Sequence, residues 1–381
     1  MPAFGTDVMA RSMTIPLVDL GLQHDEIEAE VGAGFTDVCR AGCFVGGPAV
    51  AAFEHEFAQF VGVRHCVGVG NGTDAIELAL HALGVRRGAE VVVPANTFVA
   101  TAEAVARSGA RPVLVDVDDE FLLMDPEATS AETTGRTRVI LPVHLYGQPA
   151  PVERLRVVAE QVGAFLLEDA AHAHGARRDD APAGGLGVAA ATSFYPGKNL
   201  GAYGDAGAVL TDDDEVARRV RLIGNHGRSV RYHHAYLGFN SRLDTVQAVV
   251  LRAKLRRLVR WNAERRKAAA RYHALLAGVD GVRTPRTMPG NEPVWHLYVV
   301  RVPRRDRVLR RLNDRGIGAA VHYPIPLHLQ GAFAYLGYRP GSFPVSEAAA
   351  GEILSLPLYP GITAAQQERV AEELDKAVQD A

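Results

Sequence analysis

The sequence predicts an α/β fold: a large domain built on a mostly parallel central sheet, followed by a smaller C-terminal α+β domain. Three observations predict it. The chain has 381 residues, more than a single hydrophobic core usually holds, so two domains are expected. From residue 65 to 210, short β-rich runs alternate with helical patterns, as in a sheet covered by helices on both faces. Runs such as "VILPV" are apolar throughout instead of alternating, which fits strands buried on both sides.

The elements follow in order. Residues 1–14 carry no apolar pattern and read as an N-terminal extension before "IPLVDL". They hold no apolar run long enough for a secretory signal, and nothing downstream approaches about 18 unbroken apolar residues. A cytoplasmic protein with no membrane partner is expected. Strand "HCVGVG" leads into helix "TDAIELALHALG", and strand "EVVVP" into helix "TFVATAEAVARSG". "RPVLVDV" and "RVILPVHLYG" are strands, "PVERLRVVAEQVG" a helix, and "AFLLEDAA", "ATSFYP" and "AGAVLT" further strands. The large domain is placed at 15–250 and the small one at 251–381. A long helix is predicted from Leu243 to about Leu276, with Val246, Val250, Leu255, Leu258 and Trp261 at helical spacing. Its arginines form a solvated face. "VWHLYVVRV", the helical "RVLRRLNDRG" and a final helix, "TAAQQERVAEELDKAVQ", make up the small domain.

Composition narrows the function. With 48% apolar and 22% charged residues and a net charge of −3, the chain is globular and has no bulk attraction for nucleic acid or anionic lipid. Cys39, Cys43 and Cys66 show no CxxC spacing, which suits inert thiols in a reducing compartment.

Four features lie where strands end, the edge at which open α/β sheets keep their sites. In "GVGNGTDAIELAL", glycines allow a tight turn and the helix starting at Thr73-Asp74 offers free N–H groups to a phosphate. Gly68, Gly70 and Gly72 do not match the dinucleotide spacing G-x-G-x-x-G. In "LLEDAAHAHGA", Asp169 emerges at a strand end as a helix cap, a metal ligand or a partner for a protonated ring nitrogen. His172 and His174 lack a third ligand at a zinc-like spacing. In "TSFYPGKNLGAYGDAG" stands Lys198, one of four lysines among 41 basic residues. It is either a plain loop lysine or an amine that must become neutral, which arginine cannot do. Ser193 precedes it by five residues. In "PANTFVAT", Phe98 is either core or a platform for a flat heterocycle. Together, a phosphate cradle, an acid for a ring nitrogen, an aromatic platform and a Schiff-base lysine describe a pyridoxal 5′-phosphate site.

The stretches "GNGTDA", "PANTF", "EDAAHAHGA", "SFYPGKNLGAYGDAG" and "GFNSRLDTVQA" resemble, in that order and spacing, the DegT/DnrJ/EryC1/StrS family of sugar aminotransferases. The resemblance runs over roughly residues 15 to 378. It implies pyridoxal phosphate fold type I, the aspartate aminotransferase-like fold. It further implies that Lys198 carries the cofactor as a Schiff base and that Asp169 pairs with the pyridinium nitrogen. Phe98 takes the place of the stacking ring, and Ser193 with Gly72, Thr73 and Asp74 that of the phosphate site. His172 stands where the family often has glutamine, near the cofactor hydroxyl. Asn240 matches an asparagine that reaches the cofactor phosphate of a neighbouring subunit, which implies a homodimer with a shared site.

"GFNSRLDTVQA", "WNAERR", "VHYPIPLHLQ" and "LSLPLYPGIT" look most like members that aminate C3 of a dTDP-linked 3-keto-6-deoxyhexose with L-glutamate as donor. Tyr195, Arg231, Tyr232, His322 and Tyr323 are the expected contacts to sugar or nucleotide; for His322, His328 and Tyr323 the alternative is ordinary loop packing. A C4-aminotransferase, a cyclitol aminotransferase and a nicotinamide-dependent oxidoreductase are the rival readings. A dehydratase of the same family carries histidine in place of the lysine, and Lys198 argues against it. No metal is expected.

Overall fold

A computed structural model of the chain describes residues 14–380. The expected N-terminal extension lies outside the described residues except for Thr14. After two leading helices, Leu20–Asp25 and Glu28–Ala41, come helix α1 (Pro48–Val61), β1 (His65–Val69), α2 (Gly72–Ala82), β2 (Glu90–Pro94), α3 (Val99–Arg107) and β3 (Arg111–Val115). The large domain continues with β4 (Thr137–Ile140), α4 (Val152–Val162), β5 (Phe165–Asp169), β6 (Ala189–Ser193) and β7 (Gly207–Thr211). Helix α5 (Thr245–Leu275) leads to β8 (Tyr298–Arg301), α6 (Arg305–Asp314), β9 (Ile353–Leu356) and α7 (Ala364–Gln379).

Strands β1 to β7 form one sheet in the order β1-β7-β6-β5-β4-β2-β3. From β6 through β3 every pairing is parallel, and only β7 runs against both its neighbours. This is the mostly parallel sheet the sequence predicts. "EVVVP" and "GAVLT" are buried at every position, because helices cover both faces. The apolar stretch "RVILPVHLYG" departs from expectation: the regular strand stops at Ile140. Pro142 has no N–H to give the ladder; Val143 still bridges to Asp169, and the chain then turns at Tyr146, with φ of 60°, whose N–H reaches His172 just beyond β5.

Helix α5 has 31 residues, about 45 Å of rise. Its first half packs Ala248, Leu251, Leu255 and Leu258 against Phe53 and Phe57 of α1. Its second half packs Ala268, Ala269 and Tyr272 against Tyr298 and Val300 of β8, Val308 and Leu312 of α6, and Leu374 of α7. Two cores thus share one rod. Antiparallel β8 and β9 with α6 and α7 make up the smaller α+β layer. Ile15 joins that layer through a bridge to Ile317. Among the described residues no helix is long and apolar enough to cross a membrane.

Candidate active site

The C-terminal ends of β5 and β6, the start of α2 and the start of α3 surround a cavity of about 440 Å³. Its position follows from chain direction: parallel strands all deliver their last residues to the same edge. Gly72, Thr73, Phe98, Asp169, His172, Ser193, Tyr195, Lys198, His322 and Tyr323 all line it. So ten of the residues singled out in sequence converge on one volume.

Asp169 ends β5 and is 7% exposed. Its Oδ2 accepts a hydrogen bond from the Thr101 hydroxyl at 2.8 Å, and its Oδ1 accepts one from the Ala171 N–H at 3.2 Å. Burial raises its pKa, while Thr101, the Ala171 N–H and the charge of Lys198 pull it back down. A carboxylate in this setting gains from a cation brought into the cavity.

Lys198 sits on the turn that follows β6. The turn closes because Gly201 approaches the Pro196 carbonyl so tightly that a Cβ would lie 2.2 Å from its oxygen. The Lys198 N–H donates to the Tyr195 carbonyl at 2.8 Å. Desolvation lowers the amine to about 8, against the opposing pull of Asp169. A lysine in this setting can lose its proton near neutrality, which an arginine cannot.

Asn71 caps α2 by accepting the N–H of Asp74 at 2.8 Å, and the N–H groups of Gly72 and Thr73 remain for a ligand. Gly72 is required: a Cβ there would meet the Ser193 Cβ at 2.5 Å. Asp74 is not among the residues lining the cavity; its carboxylate accepts from the Ser241 hydroxyl at 2.7 Å and faces Arg107 at 3.6 Å. Ser241 was not expected at all; its Oγ also accepts the Gly70 N–H.

Phe98 is 50% exposed although it tops a buried strand. Its ring lies 5.3 Å from that of Tyr323, tilted by 38°, and its exposed surface faces the cavity. His172 is buried and accepts the Tyr146 N–H through Nδ1 at 3.3 Å, so its proton sits on Nε2. His174 belongs to the scaffold: Nδ1 accepts the Leu200 N–H, and Nε2 meets the Thr192 hydroxyl at 2.8 Å. Burial holds it down at about 3. Among the described residues no group of three His, Cys, Asp or Glu side chains is placed to hold a metal ion.

His322 bonds Ser355 Oγ through Nδ1 at 2.8 Å, and burial lowers it to about 4. His328 is packed away against Glu347. Arg231, Tyr232 and Asn240 do not line the cavity. Arg231 and Tyr232 pack on each other in an exposed hairpin, with Tyr232 82% exposed. The Asn240 Oδ1 accepts from Arg242 at 2.8 Å. Sequence reasoning also missed Thr101, Asn71, Asp205 and His296, which line the same cavity. Asn71 had a signal, an N-cap residue before a helix; Thr101 and His296 had none.

The wall offers the Phe98 ring, the Asp169 carboxylate, two unused N–H groups with the Ser193 hydroxyl, and the Lys198 amine. Those features fit pyridoxal phosphate part by part, from ring nitrogen to phosphate.

Comparison with known proteins agrees. The chain is 47% identical over 362 residues to a dTDP-3-amino-3,4,6-trideoxy-alpha-D-glucose transaminase of Micromonospora megalomicea subsp. nigra, covering 94% of this chain and 97% of that one. It is 44% identical to a protein of Geobacillus stearothermophilus named pleiotropic regulatory protein, covering 95% and 98%. The crystal structure of S. venezuelae DesV in complex with a ketimine intermediate superposes with a TM-score of 0.94 at 43% identity, covering 96% of this chain and 99% of that one. A family model matches residues 25–375, and the chain belongs to the DegT/DnrJ/EryC1/StrS aminotransferase family.

Proposed function

We propose that the protein transfers the amino group of L-glutamate to C3 of a dTDP-linked 3-keto-6-deoxyhexose. That it is a pyridoxal phosphate-dependent sugar aminotransferase follows from its family. The observation that carries the reading is the facing of Lys198 and Asp169 across one cavity, with the phosphate cradle and Phe98 on its walls. The activity for which the Micromonospora relative is named supports C3 and dTDP.

The cofactor supplies a ring that absorbs the electron pair left when a substrate carbon loses its proton. The chain's own groups do the rest. Asp169 would hold the ring nitrogen, its buried carboxylate stabilised by a positive charge there. Ser193 and the N–H groups of Gly72 and Thr73 would hold the phosphate, Phe98 would border the ring, and the Nε2–H of His172 would be available to a ring oxygen. Lys198 would take up the proton that the donor's carbon gives up, work suited to an amine lowered to about 8. Tyr195, His322 and Tyr323 border the space left for substrate. Asn240 would serve the phosphate of the neighbouring subunit, which makes the working enzyme a homodimer. Arg231 and Tyr232, outside their own chain's cavity, meet substrate only at such an interface.

The test is the reverse reaction: holoenzyme with 2-oxoglutarate and a panel of dTDP-amino sugars, followed by the visible spectrum. Conversion with 3-amino-6-deoxy sugars is expected. Conversion with 4-amino sugars alone overturns the C3 assignment. No conversion of the cofactor by L-glutamate overturns the transaminase reading, and leaves the regulatory role for which the Geobacillus relative is named.

A further inference from the structure

His296 lines the cavity on the same side as His172, with ring centroids 4.4 Å apart. The two imidazoles have opposite polarity, and the surrounding hydrogen bonds fix it. Asn262 donates through Nδ2 to the His174 carbonyl at 2.8 Å, leaving its Oδ1 to accept from Asn199 at 3.0 Å. Asn199 spends its second N–H on the Val294 carbonyl at 3.0 Å. Its Oδ1 therefore faces His296 Nδ1, at 3.2 Å, as an acceptor. His296 must carry its proton on Nδ1, which leaves a lone pair on Nε2. That nitrogen has no partner among the described residues and is not among the polar atoms sealed from solvent. The fully buried Arg265 guanidinium donates to the carbonyls of Trp295, His296 and Leu358 and fixes the backbone beneath the ring. Burial and the nearby positive charges of Lys198 and Arg265 keep the imidazole neutral.

A neutral acceptor in this place discriminates. It repels a carboxylate oxygen or a ring phenolate, which also bring only lone pairs. It welcomes a hydroxyl. We propose that His296 Nε2 accepts a hydrogen bond from a hydroxyl of the ketosugar, and that Asn199, held by Asn262 and Val294, is the positioning residue that fixes the tautomer. The proposal rests on the sugar aminotransferase reading and goes further: it assigns His296 to the sugar half of the reaction and not to the glutamate half.

The experiment measures both half-reactions separately in holoenzyme by stopped-flow absorbance, for the unmodified protein, His296→Phe and Asn199→Ala. The probes are L-glutamate in one direction and, in the other, dTDP-3-amino-3,6-dideoxyhexoses and their trideoxy counterparts lacking the C2 or C4 hydroxyl. Calorimetry on the holoenzyme gives the affinity for the same amino sugars without turnover, and circular dichroism confirms that each variant is folded. The sugar half-reaction is expected to slow about tenfold more than the glutamate half-reaction, the scale of one lost hydrogen bond with its partner left bare. Discrimination between hydroxylated and deoxygenated sugars should collapse in His296→Phe and weaken in Asn199→Ala, in affinity as well as rate. Equal slowing of both half-reactions, or unchanged discrimination in both variants, overturns the proposal. Should one variant fail to fold, the other decides alone. An unmodified protein inert toward glutamate refutes the underlying reading instead, so the two failures are distinct.

Discussion

The hydroxyl of Thr101 donates to Oδ2 of Asp169 at 2.8 Å. This bond reaches from the first turns of α3 to the end of β5, and it stabilises the ionised form of a buried acid. Thr97 Oγ1, 3.1 Å from Thr101 Oγ1, extends the chain. Replacing Thr101 by valine keeps the shape and removes the donor. The Asp169 carboxyl should then rise further, hold a ring proton less well, and cost about tenfold in kcat with little loss of fold. Spectroscopic titration of the bound cofactor checks it: an unchanged titration midpoint in Thr101→Val would remove Thr101 from the machinery.

Lys198→Arg preserves a cation but not the capacity to lose its proton near neutrality. The variant should bind pyridoxal phosphate without the borohydride-sensitive yellow chromophore and lose at least about 10³-fold in turnover, the scale of a removed acid-base group. Unaltered colour and rate would refute the role of this lysine.

The depressed amine also sets a pH dependence. Lys198 is protonated below about 8 and neutral above it. Attack on the free cofactor aldehyde needs the neutral form. Chromophore formation on the apoenzyme should therefore speed up about tenfold per pH unit from 6 to 7, then level off above about 8. An ordinary lysine would keep climbing to about 10. Stopped-flow mixing across that range separates the two.

Gly72→Ala tests the cradle. The added methyl would meet Ser193, 2.5 Å from its Cβ, so the start of α2 must move away from β6. Cofactor affinity should fall by about 1–3 kcal/mol, the range for overpacking a tight site, measured by quenching of protein fluorescence. The cavity wall that holds Asp169 is untouched, so the chromophore at saturating cofactor should look the same.

What was legible in the sequence were residues marked by position or oddity. Asp169 ends, and Phe98 closely follows, a buried and mostly apolar strand, Gly72 opens a helix, and Lys198 stands out in an arginine-rich chain. Positions set by contacts between distant segments left no such trace: Thr101 meets Asp169 across 68 residues, and Asn199 meets His296 across 97. Periodicity reports which face is buried, not which hydroxyl touches which carboxylate. It also overran in "RVILPVHLYG", because an apolar run does not reveal where a strand loses its ladder. Adjacent residues can differ completely: Glu168 is fully buried, accepts the N–H groups of Gly184, Leu186 and Gly187 at 2.7 Å each, and pairs with His144. It braces the fold, while its neighbour faces the cavity.

The scarcity of lysine had a second reading that the structure brings out. Lys254, on α5, is 2% exposed and lies 4.9 Å from the centre of the Tyr203 ring. Burial lowers it to about 8 as well, and among the described residues no acid forms an ion pair with it. The unfolded chain binds its proton up to about 10.4. Between about 8 and 10 the unfolded state therefore holds more protons than the folded one, so stability rises with pH across that window. Below 8 both states are protonated and the folded state carries the whole cost, about 3 kcal/mol less whatever the Tyr203 ring returns. Lys254→Met keeps the straight stem and removes the charge. It should stabilise the holoenzyme by about 1–3 kcal/mol at pH 7 and flatten the rise between pH 8 and 10, as read from urea unfolding. Loss of stability at pH 7 would mean that the cation over Tyr203 is an asset to the fold.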